Sequence, residues 1–369
     1  MRIYKKINVF DEALNRIRYL FDEFPNVIVN ISGGKDSTVV FNLAMIVAKE
    51  KNRLPLTVSF IDQEAEWDIV IEHIRSIMYK KDVNPRWYQM PIKIFNATSG
   101  IDHWLMCWKE GKKWIREKEP ISINKNIYGT DRFAKLFGAI IRKENPTIKT
   151  CYLAGVRTEE SPARQLGLTS RPTYKWITYG TVETKKLDHY AFYPIYDWSY
   201  TDVWKAIHDN KWDYCKLYDL MYQYGIKTQN MRVSNVHHET AVYALFFMQE
   251  IEPDNYERLT QRISGIDMAG KMGKDDYFIK DLPYMFKDWK EYRDFLLEKL
   301  IDNQKWKDGF RRIFSRQEKV FYNSIGDNLF KVHINSILTN DWEYIKLKNF
   351  ASTPEMRFIA KKYKENYDN

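Results

Sequence analysis

The sequence predicts an α/β protein, a doubly wound and mostly parallel sheet with a helical C-terminal region. Short apolar, β-branched runs alternate with amphipathic stretches as far as Asp197, and each unit is long enough for a crossover connection. Beyond Asp197 the pattern becomes mostly helical. The longest apolar run, Ala241 to Met248, is eight residues, far short of a membrane span.

Residues 11–24 read as an amphipathic helix, with Leu14, Ile17, Arg18 and Phe21 at helical spacing. The run at 26–31 reads as a buried strand, followed by a polar loop at 32–37 and a helix from 38 to about 51. A second strand covers 54–61 and ends at Asp62, and a helix follows from about Trp67 to Tyr79. Further strands are expected at 87–95, 150–155 and 190–195. Helices are expected at 201–210, 240–248, 255–263 and 289–301. The expected domains are an α/β nucleotide-binding domain at 1–215 and a mainly helical domain at 216–369.

The 369 residues are 44% hydrophobic and 29% charged, which fits a chain that buries a sizeable core. The N-terminal residues lead into mixed polar sequence without the apolar core of a secretory signal, so the expected location is cytoplasmic. The three cysteines, Cys107, Cys151 and Cys215, form no C-x-x-C pair. A disulfide framework, a zinc knuckle and a four-cysteine cluster are therefore not expected. A net charge of +9 leans toward polyanionic partners, nucleotides or nucleic acid, although a mixed-charge solvated surface accounts for it equally. The 12 Trp, 25 Tyr and 20 Phe serve mostly as core, and the same residue types form stacking platforms for bases.

The loop Ser32, Gly33, Gly34, Lys35, Asp36, Ser37 falls between an expected strand and an expected helix, where backbone amides and the helix dipole converge on an anion. Adjacent glycines let the backbone approach phosphate oxygens, and Ser32 and Ser37 add hydroxyl donors. Lys35 supplies charge, and Asp36 is expected either to orient the loop or to contact Mg²⁺. The spacing is not that of a P-loop NTPase, because no glycine lies five residues before Gly34. Asp62, at the carboxyl end of the second strand, is either a nucleotide contact or a helix N-cap; as a contact it brings Gln63 and Glu64 to the adenosine pocket. A second cluster, Gly155 to Arg164, follows a strand and holds Arg157, Glu159, Glu160, Ser161 and Arg164; arginines there can clamp phosphate or sulfate. In a third segment, Ser199 and Asp202 have the spacing of a capping box, which makes that segment structural. His237, His238 and Glu239 read as surface or hinge residues rather than metal ligands. Arg311, Arg312, Arg316 and Lys319 read as a basic helix face, solvated or in contact with nucleic acid or a partner.

The loop at 32–37 resembles the PP-loop of ATP pyrophosphatases, S-G-G-x-D-S. Gly155, Arg157, Ser161 and Arg164 match a G-x-R-x-x-x-S-x-x-R segment of the PAPS reductase branch of that family. The segment from Pro194 to Trp204 is similar to one shared by sulfonucleotide reductases and sulfate adenylyltransferase subunits. Over most of its length the chain resembles the PAPS reductase-like proteins known as the immunoglobulin-binding regulator A family. The resemblance implies an adenine nucleotide alpha hydrolase-like fold and ATP with Mg²⁺ as cofactors. It implies cleavage between the α- and β-phosphates, with Lys35, Asp36 and Arg157 as catalytic residues. Nucleotide contacts are implied at Ser32 to Ser37, Asp62, Gly155, Arg157, Ser161 and Arg164. It also implies a ParB-like protein partner and a link to nucleic-acid modification. A departure goes with it: the E-C-G-x-H segment of true PAPS reductases has no counterpart beyond Cys215, so PAPS reduction by this chain is not expected. A PAPS-binding transferase with an external thiol and a non-catalytic nucleotide-dependent module are the alternatives.

Overall fold

The computed structural model describes residues 6–99, 102, 104–170, 173–184, 187–228, 231–233, 235–236, 244–271, 281–338 and 341–367. Contacts divide the chain into two compact units. One comprises Met1–Ile94 with Met106–Val236, and the other comprises Phe95–Leu105 with His237–Asn369.

In the first unit, helix α1 (Val9–Glu23) starts at Asn8, whose side chain accepts from the Asp11 amide, and buries Leu14, Ile17, Leu20 and Phe21. Strand β1 (Asn26–Asn30) buries Val27, Ile28 and Val29, as a strand covered on both faces must. Then come α2 (Lys35–Glu50), β2 (Leu56–Ile61), α3 (Asp68–Met78) and β3 (Val83–Tyr88). Two short strands, β4 (Ile92–Phe95) and β5 (Trp104–Cys107), stand where the chain leaves this unit and returns. They are followed by α4 (Phe133–Glu144), β6 (Thr150–Leu153), a 3-10 turn at Thr158–Glu160, and α5 (Pro162–Thr169). The unit continues through β7 (Gly180–Thr184), β8 (His189–Phe192), α6 (Tyr200–Asp209) and α7 (Leu217–Gln223).

The six-stranded sheet has the order β3-β2-β1-β6-β8-β7, and only the β7–β8 pairing is antiparallel. Strand β1 pairs in parallel with β2 on one side and β6 on the other, so the order reverses at β1. The crevice at the carboxyl ends of β1 and β6 is therefore the switch point where doubly wound sheets bind ligands. The sequence-predicted α/β class holds.

Three expectations shift. The strand expected at 87–95 is divided: β3 begins at Val83 and ends at Tyr88, and β4 is separate. Pro85 masks β3 in the sequence, and the sheet accepts it because β3 is an edge strand. The helix after the loop begins at Lys35 rather than residue 38, which puts Lys35, Asp36 and Ser37 in its first turn. The α/β unit also runs past residue 215, since Tyr218 on α7 accepts from the Lys35 amide at 3.1 Å.

The second unit is helical among its described residues after 244, and its longest helix is Gln304–Ile325. Tyr292, Leu296, Phe310, Phe314, Ile334 and Trp342 belong to its core. Arg293 is buried there, donating to Glu318 at 2.6 Å and to His333 Nδ1 at 3.1 Å, while His333 Nε2 donates to Gln317 Oε1 at 2.9 Å. His237, His238 and Glu239 lie outside the described residues.

Burial, and then the Arg293 charge, push the His333 imidazole down to about 3. The unfolded chain therefore binds one more proton at this site between about pH 3 and the free value of about 6.5, and stability falls as pH drops through that window. The melting temperature should fall from pH 7 to pH 5, and His333→Gln should flatten part of that slope. Identical slopes in thermal unfolding would contradict the assignment.

Candidate functional site

A cavity of about 560 Å³ opens at the carboxyl ends of β1 and β6. Ser32, Gly34, Lys35, Asp36 and Ser37 form one part of it, and Ala154, Gly155, Val156 and Arg157 another. Glu159, Glu160, Arg164, Tyr200, Tyr218, Met231, Arg232 and Val233, with Asn30 and Ile31 at the end of β1, complete the lining.

The loop at 32–37 is held by its own hydroxyls. The Ser32 amide donates to Ser37 Oγ at 3.2 Å, and Ser37 Oγ donates to the Gly34 carbonyl at 2.9 Å. Thr38 Oγ1 donates to the same carbonyl at 3.0 Å and lies 2.9 Å from His73 Nε2 on α3. Burial takes the His73 imidazole down to about 4, so this ring is neutral at physiological pH. Gly33 has φ +74°, which L residues with side chains rarely adopt, and a Cβ there would lie 2.6 Å from Val70 Cγ1. Gly34 is the N-cap of α2 and offers no side-chain cap, so of the first-turn amides those of Asp36 and Ser37 keep their donor capacity for a ligand while that of Lys35 is given to Tyr218.

The second cluster is pressed against this turn. A Cβ on Gly155 would stand 2.5 Å from Asp36 C and 2.5 Å from Ser37 N, so no side chain fits between the two backbones. Arg157, only 4% exposed, pairs through Nε with Asp36 Oδ1. Its Nη1 donates to the Trp198 carbonyl at 3.3 Å and to Glu159 at 3.3 Å. Lys35 Nζ lies 3.0 Å from the other Asp36 oxygen. Asp36 is thus held between two cations.

The third segment fixes that arrangement. Ser199 and Asp202 form the expected capping box at the start of α6. Arg16 grips Asp197 with two bonds of 2.7 and 2.8 Å, and Trp198 Nε1 donates to the Val9 carbonyl at 3.0 Å. The carbonyl that receives Arg157 is therefore tied to α1.

A phosphoadenosine phosphosulfate reductase domain model matches residues 26–328. The chain belongs to this family. It is 27% identical over 321 residues to "Uncharacterized protein YbdN" of Escherichia coli (strain K12), a match covering 81% of this chain and 78% of that protein. Among solved structures, Candida glabrata FMN adenylyltransferase with FAD and inorganic pyrophosphate is similar at TM-score 0.37 and 15% identity. That match covers 59% of this chain and 64% of the adenylyltransferase, just under two thirds of its length. Candida auris PAPS reductase in a phosphate complex is similar at TM-score 0.33 and 17% identity, covering 61% of this chain and 88% of the other.

Within this PAPS reductase-family chain, three expected contacts stand apart from the cavity lining. Gly33 faces Val70. Ser161 spends its hydroxyl as the N-cap of α5, accepting from the Arg164 amide at 3.1 Å. Asp62 is fully buried and accepts from Trp87 Nε1 at 2.9 Å, Gln89 Nε2 at 3.0 Å, the Glu64 amide at 2.9 Å and Arg116 Nη2 at 2.5 and 2.6 Å. It is therefore a structural ion-pair centre, and neighbouring Glu64 binds the Trp108 amide at 2.6 Å rather than lining the cavity. Burial, and then the Asp62 charge, push the nearby Glu66 carboxyl up to about 8.

The two Asp36 oxygens that a magnesium ion would use are paired with Lys35 and Arg157 in this structure. Among the described residues no group of three His, Cys, Asp or Glu side chains is arranged to hold a metal ion. The three cysteines are buried, and burial pushes the Cys151 thiol up, away from thiolate character. Among the described residues no helix is long and apolar enough to cross a membrane.

Sequence reasoning did not single out Tyr200, Met231, Arg232 or Val233. Tyr218 was not singled out either, and Tyr200 falls within the Pro194 to Trp204 segment that the resemblance covers. Gly155→Ala should cost about 1–3 kcal/mol or more through overpacking against backbone that cannot rotate away. Denaturant unfolding at wild-type stability would mean that the close approach is not a constraint.

Proposed function

We propose that this chain binds ATP at the Ser32–Ser37 loop and cleaves it between the α- and β-phosphates to adenylate an acceptor. The observation that carries this reading is the packing of Gly155 and Arg157 onto the first turn of α2 at the sheet's switch point. An acceptor oxygen attacks the α-phosphorus, the α–β bridging bond breaks, and pyrophosphate leaves with the electron pair. First-turn amides and Lys35 stabilise the charge that develops on the leaving group. Arg157 acts as a positioning residue: it holds Asp36, and Asp36 holds Lys35. Lys35 exchanges its carboxylate partner for phosphate when nucleotide arrives. No step is routed through a metal bound by Asp36. The buried cysteines support adenylation over PAPS reduction by this chain's own thiols.

The finer assignment is to the immunoglobulin-binding regulator A type, working with a ParB-like protein on nucleic acid or a sulfur-linked acceptor. The net charge of +9 supports a polyanionic acceptor.

The test is release of pyrophosphate from ATP in the presence of candidate acceptors, followed with label at the γ-phosphate, which separates pyrophosphate from orthophosphate. Lys35→Ala should lower the rate at least tenfold, about 1.4 kcal/mol of transition-state stabilisation. Arg157→Lys should do likewise, because an ammonium cannot bond Asp36 and the Trp198 carbonyl together as the guanidinium does. Arg316→Lys, on an exposed face of the helix Gln304–Ile325, should leave the rate unchanged. Orthophosphate as the only product, or equal minor effects at all three positions, would sink the reading.

A further inference from the structure

The cavity wall at 231–233 is anchored on both sides of Arg232. Met231 is buried, and Val233 Cγ2 lies 3.2 Å from where a Cβ on Gly34 would stand. Just beyond, Asn235 Nδ2 donates to the buried Glu66 Oε1 at 2.7 Å, and Val236 is fully buried. From this fixed backbone the exposed Arg232 side chain borders the cavity. Its Nη2 donates to the Glu160 carbonyl at 3.4 Å, a long bond between neutral-acceptor and cation.

The charges around the cavity single Arg232 out. Lys35 and Arg157 share Asp36, Arg157 also meets Glu159, and Arg164 lies 3.4 Å from Glu160. Arg232 forms no ion pair among the described residues. Its guanidinium is thus a cation bordering the cavity that no carboxylate among the described residues offsets, and a charge-assisted fork to an anion is stronger than the bond it now makes.

We propose that Arg232 binds the phosphates beyond the α-phosphate and makes this site select nucleoside triphosphates over monophosphates. Its neighbour Val233 touches the loop that takes the phosphate chain, which favours the chain's end over a phosphate on the ribose. This inference rests on the nucleotide reading above.

Calorimetry with ATP, AMP and adenosine 3′,5′-bisphosphate tests it on wild type, Arg232→Ala and Arg232→Lys. Arg232 is exposed and its loss leaves the Asn235 and Val233 anchors in place, so all three proteins should fold. Arg232→Ala should weaken ATP at least tenfold and AMP by no more than about twofold, with Arg232→Lys between. Inorganic pyrophosphate, which carries only the phosphates at issue, should raise the melting temperature of wild type and not of Arg232→Ala. Equal effects on ATP and AMP, no effect on ATP, or a loss confined to the bisphosphate would overturn the assignment. Wild type that binds no nucleotide would overturn the nucleotide reading as well, whereas ATP binding unchanged by Arg232→Ala overturns only the role of Arg232.

Discussion

The site depends on one close approach, that of the Gly155 backbone to the Asp36–Ser37 peptide. It joins the loop after β6 to the first turn of α2 with no side chain between them. Parallel pairing of β1 with β6 brings the two loops to the same edge, and the missing Cβ lets them touch. Arg157 can then reach Asp36, and through Asp36 the turn is locked to Lys35. Without that contact the six-residue loop would be a turn beside a sheet. With it, two segments more than a hundred residues apart in sequence form one rigid wall.

Two carboxylates, one half-buried and one fully buried, show how differently the same chemistry is used in this unit. Asp36 shares its charge between Lys35 and Arg157 at the cavity, where an incoming anion can compete for either cation. Asp62 is sealed away with Arg116, two indole or amide donors and a backbone amide. Breaking such a buried pair leaves an uncompensated charge, so its role is to fix the chain at 62–66 and 107–116. Glu66 links that sealed cluster to the cavity through Asn235, which places the backbone beside Arg232. The exposed cations of the helix Gln304–Ile325 contrast with both: Arg311 meets Glu298 and Asp308 on the solvated surface, where pairs contribute little.

The sequence made the switch-point strand legible because β1 is covered on both faces, which leaves an unbroken β-branched run. The loop at 32–37 was legible because its residue types and position agree with one chemistry. Asp62 was not, since its place at a strand end suits a ligand contact as well as a buried ion pair, and Arg116 lies 54 residues away. The edge strand β3 was obscured by Pro85, and β7 by its antiparallel place at the opposite edge. Ser161 carries the residue type of a phosphate ligand and of an N-cap, and local backbone geometry selects the cap. Arg232 has no motif of its own; only the fold brings residues 231–233 to the phosphate loop.

The most direct measurement of the central claim is a structure of the full chain with an ATP analogue that cannot be cleaved between its α- and β-phosphates. The account predicts phosphate oxygens against the first-turn amides of α2, Lys35 turned from Asp36 toward them, and Gly155 unmoved against the Asp36–Ser37 peptide. Phosphates bound elsewhere on the chain, with the 32–37 loop making no contact to them, would contradict it.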